Sequence, residues 1–134
     1  ADAAPAAADA TLSSEALAAT APFDLVLCDA PCSGSGSWRR DPEGKWRLTQ
    51  ERLDTLVSLQ AEILDQAAAL VTEGGQLAFA TCSMLDVENG LQSDGFVARN
   101  PGWERLTEAA WQVQNGTDGF YVAVFQRIKS SNAL

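Results

Sequence analysis

An α/β fold with flanking helices is predicted by three observations. Two short apolar runs each close on a corner of small polar residues, a strong helical period joins them, and a third run near the end is apolar on both faces. In order the elements read strand, helix, strand, helix, strand, strand. The first two strands are therefore expected to lie parallel, with a right-handed crossover between them.

The first strand is Phe23–Ala30 (FDLVLCDA), bounded by Pro22 and Pro31. An unbroken apolar centre between two prolines reads as a buried strand of a parallel sheet. Residues 31–47 (PCSGSGSWRRDPEGKWR) are rich in Pro, Gly and Ser and are expected to form a loop. A helix is predicted from Thr49 to about Val71, because Leu53, Leu56, Val57, Gln60, Ile63, Leu64, Ala67 and Val71 fall on one stripe with charges between them. Thr49 suits its N-cap, Glu51 its first turn, and Gly74-Gly75 its end.

Gln76–Thr81 (QLAFAT) is the second strand and runs into Cys82-Ser83. Residues 86–99 make a weaker helix, interrupted by Gly90 and Gly95 and stopped by Pro101-Gly102. Trp103–Leu106 reads as a short strand. Phe120–Ile128 (FYVAVFQRI) is longer and apolar on both faces, hence central rather than an edge. Residues 1–22 are half alanine and read as a flexible lead-in with a short helix near Ser14–Ala19. The folded unit is expected over residues 23–129, with a tail at 130–134.

A length of 134 residues suits one domain. There is no run of about 18 apolar residues, so no membrane span is expected. No charged-then-apolar leader is recognisable, and a cytoplasmic location is expected. The net charge of −9 argues against a generally basic nucleic-acid binder. Yet Arg39, Arg40, Lys45, Arg47 and Arg52 lie in one short stretch, where they outnumber Asp41, Glu43 and Glu51. That stretch can touch phosphates, or it can be an ordinary solvated loop and helix start.

The chain has no histidine, which removes the usual general base and the commonest metal ligand. Cys28 and Cys32 have no second pair at zinc-site spacing, so no metal is expected. Serine and cysteine triads that need histidine are excluded within the chain. Three thiols, an odd number without a leader, argue against a disulfide framework.

In open α/β sheets ligands lie beyond the carboxyl ends of the strands. The first strand ends Asp29-Ala30-Pro31-Cys32-Ser33-Gly34 and the second ends Thr81-Cys82-Ser83. If the two strands are neighbours, their ends lie about 5 Å apart, and Asp29, Cys32 and Cys82 face one crevice. Cys28 lies inside its strand and reads as a small buried hydrophobe. Taken singly, Cys32 and Cys82 are more readily explained by packing; two at the same sheet end, beside one carboxylate, favour a site without naming its reaction.

The segments FDLVLCDAPCSGSGSWRR, LQAEILDQAAALV, GGQLAFATCSMLDVEN and GTDGFYVAVFQR together resemble the RsmB-like (Nol/Nop/Sun) RNA 5-methylcytosine methyltransferases. The resemblance covers about Phe23 to Lys129, and the joint occurrence of DAPCSG and TCS, followed by EN, carries it. It implies a Rossmann-like class I methyltransferase sheet, of which this chain would supply strands four to seven and their helices. It implies that Cys82 is the nucleophile that attacks carbon 6 of the target cytosine. Cys32 would assist loss of the carbon-5 proton and release of product. Asp29 would touch the methyl donor, S-adenosyl-L-methionine, and the target base, and Pro31 would shape that corner. RNA, ribosomal RNA first of all, is the implied partner. Arg39 and Arg40, just after the DAPC corner, would meet its phosphates. Trp38 and Trp46 would either stack on bases or pack the loop onto the sheet.

The Gly-rich donor loop that the resemblance places upstream is not among these residues. The isolated chain is therefore expected to be inactive, and its first strand is expected to present a free edge that favours a homodimer. The alternative is a non-catalytic RNA-binding or interaction half-domain. An unrelated cysteine-dependent transferase or hydrolase is disfavoured by the missing histidine and the missing nucleophile elbow.

Overall fold

The computed structural model describes residue 16, residues 19–113 and residues 118–129. The expected lead-in lies almost wholly outside the described residues. Four strands, β1 (Phe23–Asp29), β2 (Val71–Thr81), β3 (Trp103–Trp111) and β4 (Phe120–Arg127), form one open sheet in the order β1-β2-β4-β3. Beside them, among the described residues, lie the helices α1 (Pro42–Arg47), α2 (Gln50–Ala68) and α3 (Gly90–Arg99). β1 and β2 pair parallel, as expected for strands joined by a helix. β4 is antiparallel to both of its neighbours, so its two apolar faces belong to a central strand.

Several boundaries differ from the sequence expectation. α2 stops at Ala68, and Gly74-Gly75 lie inside β2 instead of ending the helix. Leu70 is captured before the glycines are reached, because its carbonyl accepts from Phe23 N–H at 2.7 Å. The glycines instead allow an irregularity in the β1–β2 register between Phe23 and Leu25. Gly74 sits at φ 80°, and a side chain on Gly75 would press on Val71 and the Asp24 carbonyl. Residues 42–47 are a short helix and not loop, with Pro42 at its first position, where the missing N–H costs nothing. β3 runs on to Trp111, with a register shift between Arg105 and Thr107 that lets it follow β4 past its apolar start.

Helices α2 and α3 cover one face of the sheet. Leu64, Val71, Leu77, Phe79, Phe96, Ala123 and Phe125 are fully enclosed there. Phe96 packs its ring 4.8 Å from Phe125 and edge-on to Trp103 at 5.4 Å. Phe96→Ala should therefore destabilise the fold by about 3–5 kcal/mol, as read from denaturant unfolding. Alternation puts Leu25, Leu27 and Asp29 of β1 on the opposite face, where Leu25 is 61% and Leu27 66% exposed. No described residue pairs with the outer edge of β1.

Candidate active site

The ladder between β1 and β2 continues one step beyond β1, with Ala30 N–H donating to the Ala80 carbonyl at 3.1 Å. Both chains then turn out of the sheet at the same end. Cys32 follows β1 and Cys82 follows β2, and their Sγ atoms lie 3.4 Å apart, each thiol half-buried. The expected convergence of the two sulfurs on one rim is thus what the backbone produces. Cys28 is apart from them, buried on the helix-covered face, where burial pushes its thiol up to about 11.

Cys32 is pushed up to about 12, first by burial and then by its contact with Cys82, against an opposing hydrogen bond from the Gly34 backbone. Below that pH it is a neutral thiol, able to donate S–H toward the Cys82 sulfur. Because only the thiolate is alkylated, Cys32 should resist iodoacetamide at neutral pH and become reactive only as the pH approaches 12. Peptide mapping after timed alkylation checks this.

A buried polar scaffold that sequence reasoning did not find holds the two corners together. Glu88 is completely buried and accepts four hydrogen bonds. They come from Ser33 N–H at 2.8 Å, Ser33 Oγ at 2.6 Å, Gln60 Nε2 at 3.0 Å and Ser83 Oγ. One carboxylate thereby links the residue after Cys32 to the residue after Cys82. Gln60, the single polar side chain on the apolar stripe of α2, also donates to the Pro31 carbonyl at 2.8 Å. Asn89 accepts from Thr81 Oγ1 at 2.6 Å and donates to the Ser83 carbonyl at 2.8 Å, bracing the other side of Cys82. The available signals were the Glu-Asn pair after TCS and the amide amid leucines, but neither discloses its partner without coordinates.

The loop after Cys32 is stitched to Cys82 through its backbone. Gly36 N–H donates to the Cys82 carbonyl at 2.8 Å, and Gly119 N–H donates to the Gly36 carbonyl at 2.8 Å. A side chain on Gly36 would collide with the Gly119 carbonyl and reach within 2.8 Å of the Cys82 oxygen, so this approach requires glycine. Ser35 Oγ accepts from Met84 N–H at 2.7 Å and completes the junction.

The other sequence-derived residues sit as follows. Asp29 ends β1 on the face opposite helices α2 and α3; it is exposed, and its carboxylate has no hydrogen-bond partner among the described residues. Pro31 is exposed at the corner. Arg39 and Arg40 both pair with Asp118, at 3.2 Å and 2.7 Å, tying the loop to the start of β4. The Arg40 hydrogen bond is the main reason the Asp118 carboxyl titrates below its ordinary range. Trp38 packs against Gly44, whose Cβ would stand 3.1 Å from the indole, whereas Trp46 is 79% exposed with the Lys45 ammonium 5.8 Å from its ring. Of the two tryptophans, Trp46 is the more exposed. No helix among the described residues is long and apolar enough to cross a membrane.

The sequence profile of the family described as 16S rRNA methyltransferase RsmB/F matches residues 3–126. A relative from Vibrio vulnificus named ribosomal RNA small subunit methyltransferase B is 43% identical over 110 residues, covering 76% of this chain and 26% of that protein. The protein of the same name from Escherichia coli is 41% identical over 110 residues, covering 75% and 25%. The chain thus spans about a quarter of the length of the curated relatives it matches. Among solved structures, NSun6 from Pyrococcus horikoshii with SFG superposes with a TM-score of 0.74 at 18% identity, over 89% of this chain and 34% of that one, a likeness of fold.

Proposed function

The chain belongs to the RsmB/F family of 16S rRNA methyltransferases, and on that premise we propose that it is part of an S-adenosyl-L-methionine-dependent enzyme that methylates carbon 5 of cytosine in ribosomal RNA through a covalent adduct on Cys82. The observation that carries this reading is the 3.4 Å approach of Cys82 to Cys32 where two parallel strands end. Residues 23–129 form the carboxyl-terminal half of its catalytic domain, and its place of action is the cytoplasm.

Carbon 5 of cytosine is a poor nucleophile. Addition of the Cys82 thiolate forms an S–C6 bond and shifts the displaced electron pair toward carbon 5, which is thereby activated for methylation. The donor supplies an electrophilic methyl group. Cys32, held as a thiol beside Cys82, stabilises that sulfur and serves the later steps. Water takes the carbon-5 proton with Cys32 assisting its loss, the C–H electron pair restores the C5–C6 double bond, and the S–C6 bond breaks to release the product and return the Cys82 thiolate. The target base must leave any stack to reach the two sulfurs. Asp29, unpartnered and on the uncovered face, fits an acceptor for the donor or the base. Pro31 fixes the corner through its anchored carbonyl, and Arg39 and Arg40 meet RNA phosphates while Asp118 holds them in place.

The isolated chain lacks the Gly-rich donor loop, so it should bind S-adenosylhomocysteine weakly or not at all in calorimetry. By itself it should pair with a second copy along the free edge of β1; a clean dilute monomer in light scattering argues against that pairing. The decisive experiment supplies full-length protein with labelled donor and ribosomal RNA and identifies the modified nucleoside by mass spectrometry. 5-Methylcytidine is expected; another methylated nucleoside contradicts the reading.

A further inference from the structure

We propose that Cys82 and Cys32 form a reversible redox pair, in which a hydroperoxide oxidises Cys82 and Cys32 then closes on it to give an intramolecular disulfide that shuts the site.

The geometry favours closure. The two sulfurs stand 3.4 Å apart, and a disulfide needs them at about 2.0 Å, so a small rotation of each side chain suffices. They follow the ends of two adjacent parallel strands, so both thiols lie at one rim of the sheet. The corners cannot drift apart, because Glu88 bonds both Ser33 and Ser83 and Gly36 bonds the Cys82 carbonyl. Both thiols are half-buried, whereas Cys28 is sealed in the core and serves as an internal control.

The chemistry balances with a hydroperoxide as the one co-reactant. The Cys82 thiolate attacks a peroxide oxygen, the O–O bond breaks, and Cys82 becomes a sulfenic acid while water or an alcohol leaves. The Cys32 sulfur then attacks the Cys82 sulfur, the S–S bond forms, and the S–O bond breaks. The Cys32 proton goes with the departing hydroxide as water. Two thiols are oxidised, one peroxide is reduced, and a thiol reductant reverses the change by exchange. The order of events follows from Cys32 being held protonated, which makes it the poorer first nucleophile and leaves it as the resolving partner. With its sulfur bonded to Cys32, Cys82 cannot add to a pyrimidine. That consequence rests on the function proposed above; the disulfide itself rests on geometry alone.

The test treats reduced full-length protein with hydrogen peroxide and maps its peptides without reduction. The expected product is a Cys32–Cys82 linked peptide lacking two hydrogens, within one chain, with Cys28 still a thiol. Methyl transfer should fall in proportion to the linked fraction and return after dithiothreitol. In Cys32→Ser the linkage cannot form, and Cys82 should be found as irreversible sulfinic acid under the same exposure. A wild-type protein in which Cys82 passes to sulfinic acid without the link, or links only between chains, overturns the proposal. The two readings fail separately. If the link forms but the reduced protein makes no adduct with 5-azacytidine RNA, the nucleophile assignment falls. If the adduct forms and the link does not, the redox pair falls.

Discussion

Replacing Cys82 by alanine is expected to slow methyl transfer by on the order of 10⁴-fold or more, since it removes the sulfur proposed to bond carbon 6. Folding should change by no more than about 1 kcal/mol, because the side chain is half-buried and its hydrogen-bond partner is the neighbouring Cys32 sulfur. The pair of readouts matters: transfer by the full-length variant under single-turnover conditions, alongside its denaturant midpoint. A loss of activity that tracked a loss of fold would place Cys82 among structural residues. Retained transfer would remove it from the chemistry.

Glu88→Ala should be nearly as damaging by a different route. It strips the acceptor from the half-buried Ser33 N–H and leaves a void where the fully buried Glu88 stood, at a cost of about 3–5 kcal/mol. Glu88→Gln separates hydrogen bonding from charge. One carboxylate oxygen meets Ser33 N–H and Gln60 Nε2, and the amide oxygen can take that place. The other oxygen meets only the hydroxyls of Ser33 and Ser83, which can turn to accept from the amide NH₂. The glutamine variant should therefore lose only about 1–2 kcal/mol, the margin of a charged over a neutral acceptor. Because Glu88 acts through the corners as a positioning residue, transfer should survive in the glutamine form and fail in the alanine form. Equal loss in both would mean that the negative charge itself participates.

What the sequence disclosed follows from the range of each interaction. The strand ends at Asp29 and Thr81 were legible because apolar runs stop where the chain leaves the sheet, and that alone brought Cys32 and Cys82 to one rim. β4 was legible as central because both of its faces are apolar. Gly74-Gly75 misled, since the same residues that end helices also permit an irregular strand, and only the pairing of Leu70 with Phe23 decides between them. Pro42–Arg47 was hidden by a composition typical of loops, although Asp41-Pro42 is an acceptable helix start. Glu88 was hidden most completely. A glutamate within a weak helical pattern suggests a solvent-facing residue, and its burial becomes sensible only when Ser33, Gln60 and Ser83, distant in sequence, arrive around it.

The most direct measurement is the identity of the side chain that RNA captures. Full-length protein mixed with donor and RNA carrying 5-azacytidine, digested and sequenced by mass spectrometry, should carry the nucleotide on Cys82, and Cys82→Ser should carry none. Attachment to Cys32 or Cys28, or undiminished capture by the serine variant, would contradict the assignment of Cys82 as the nucleophile.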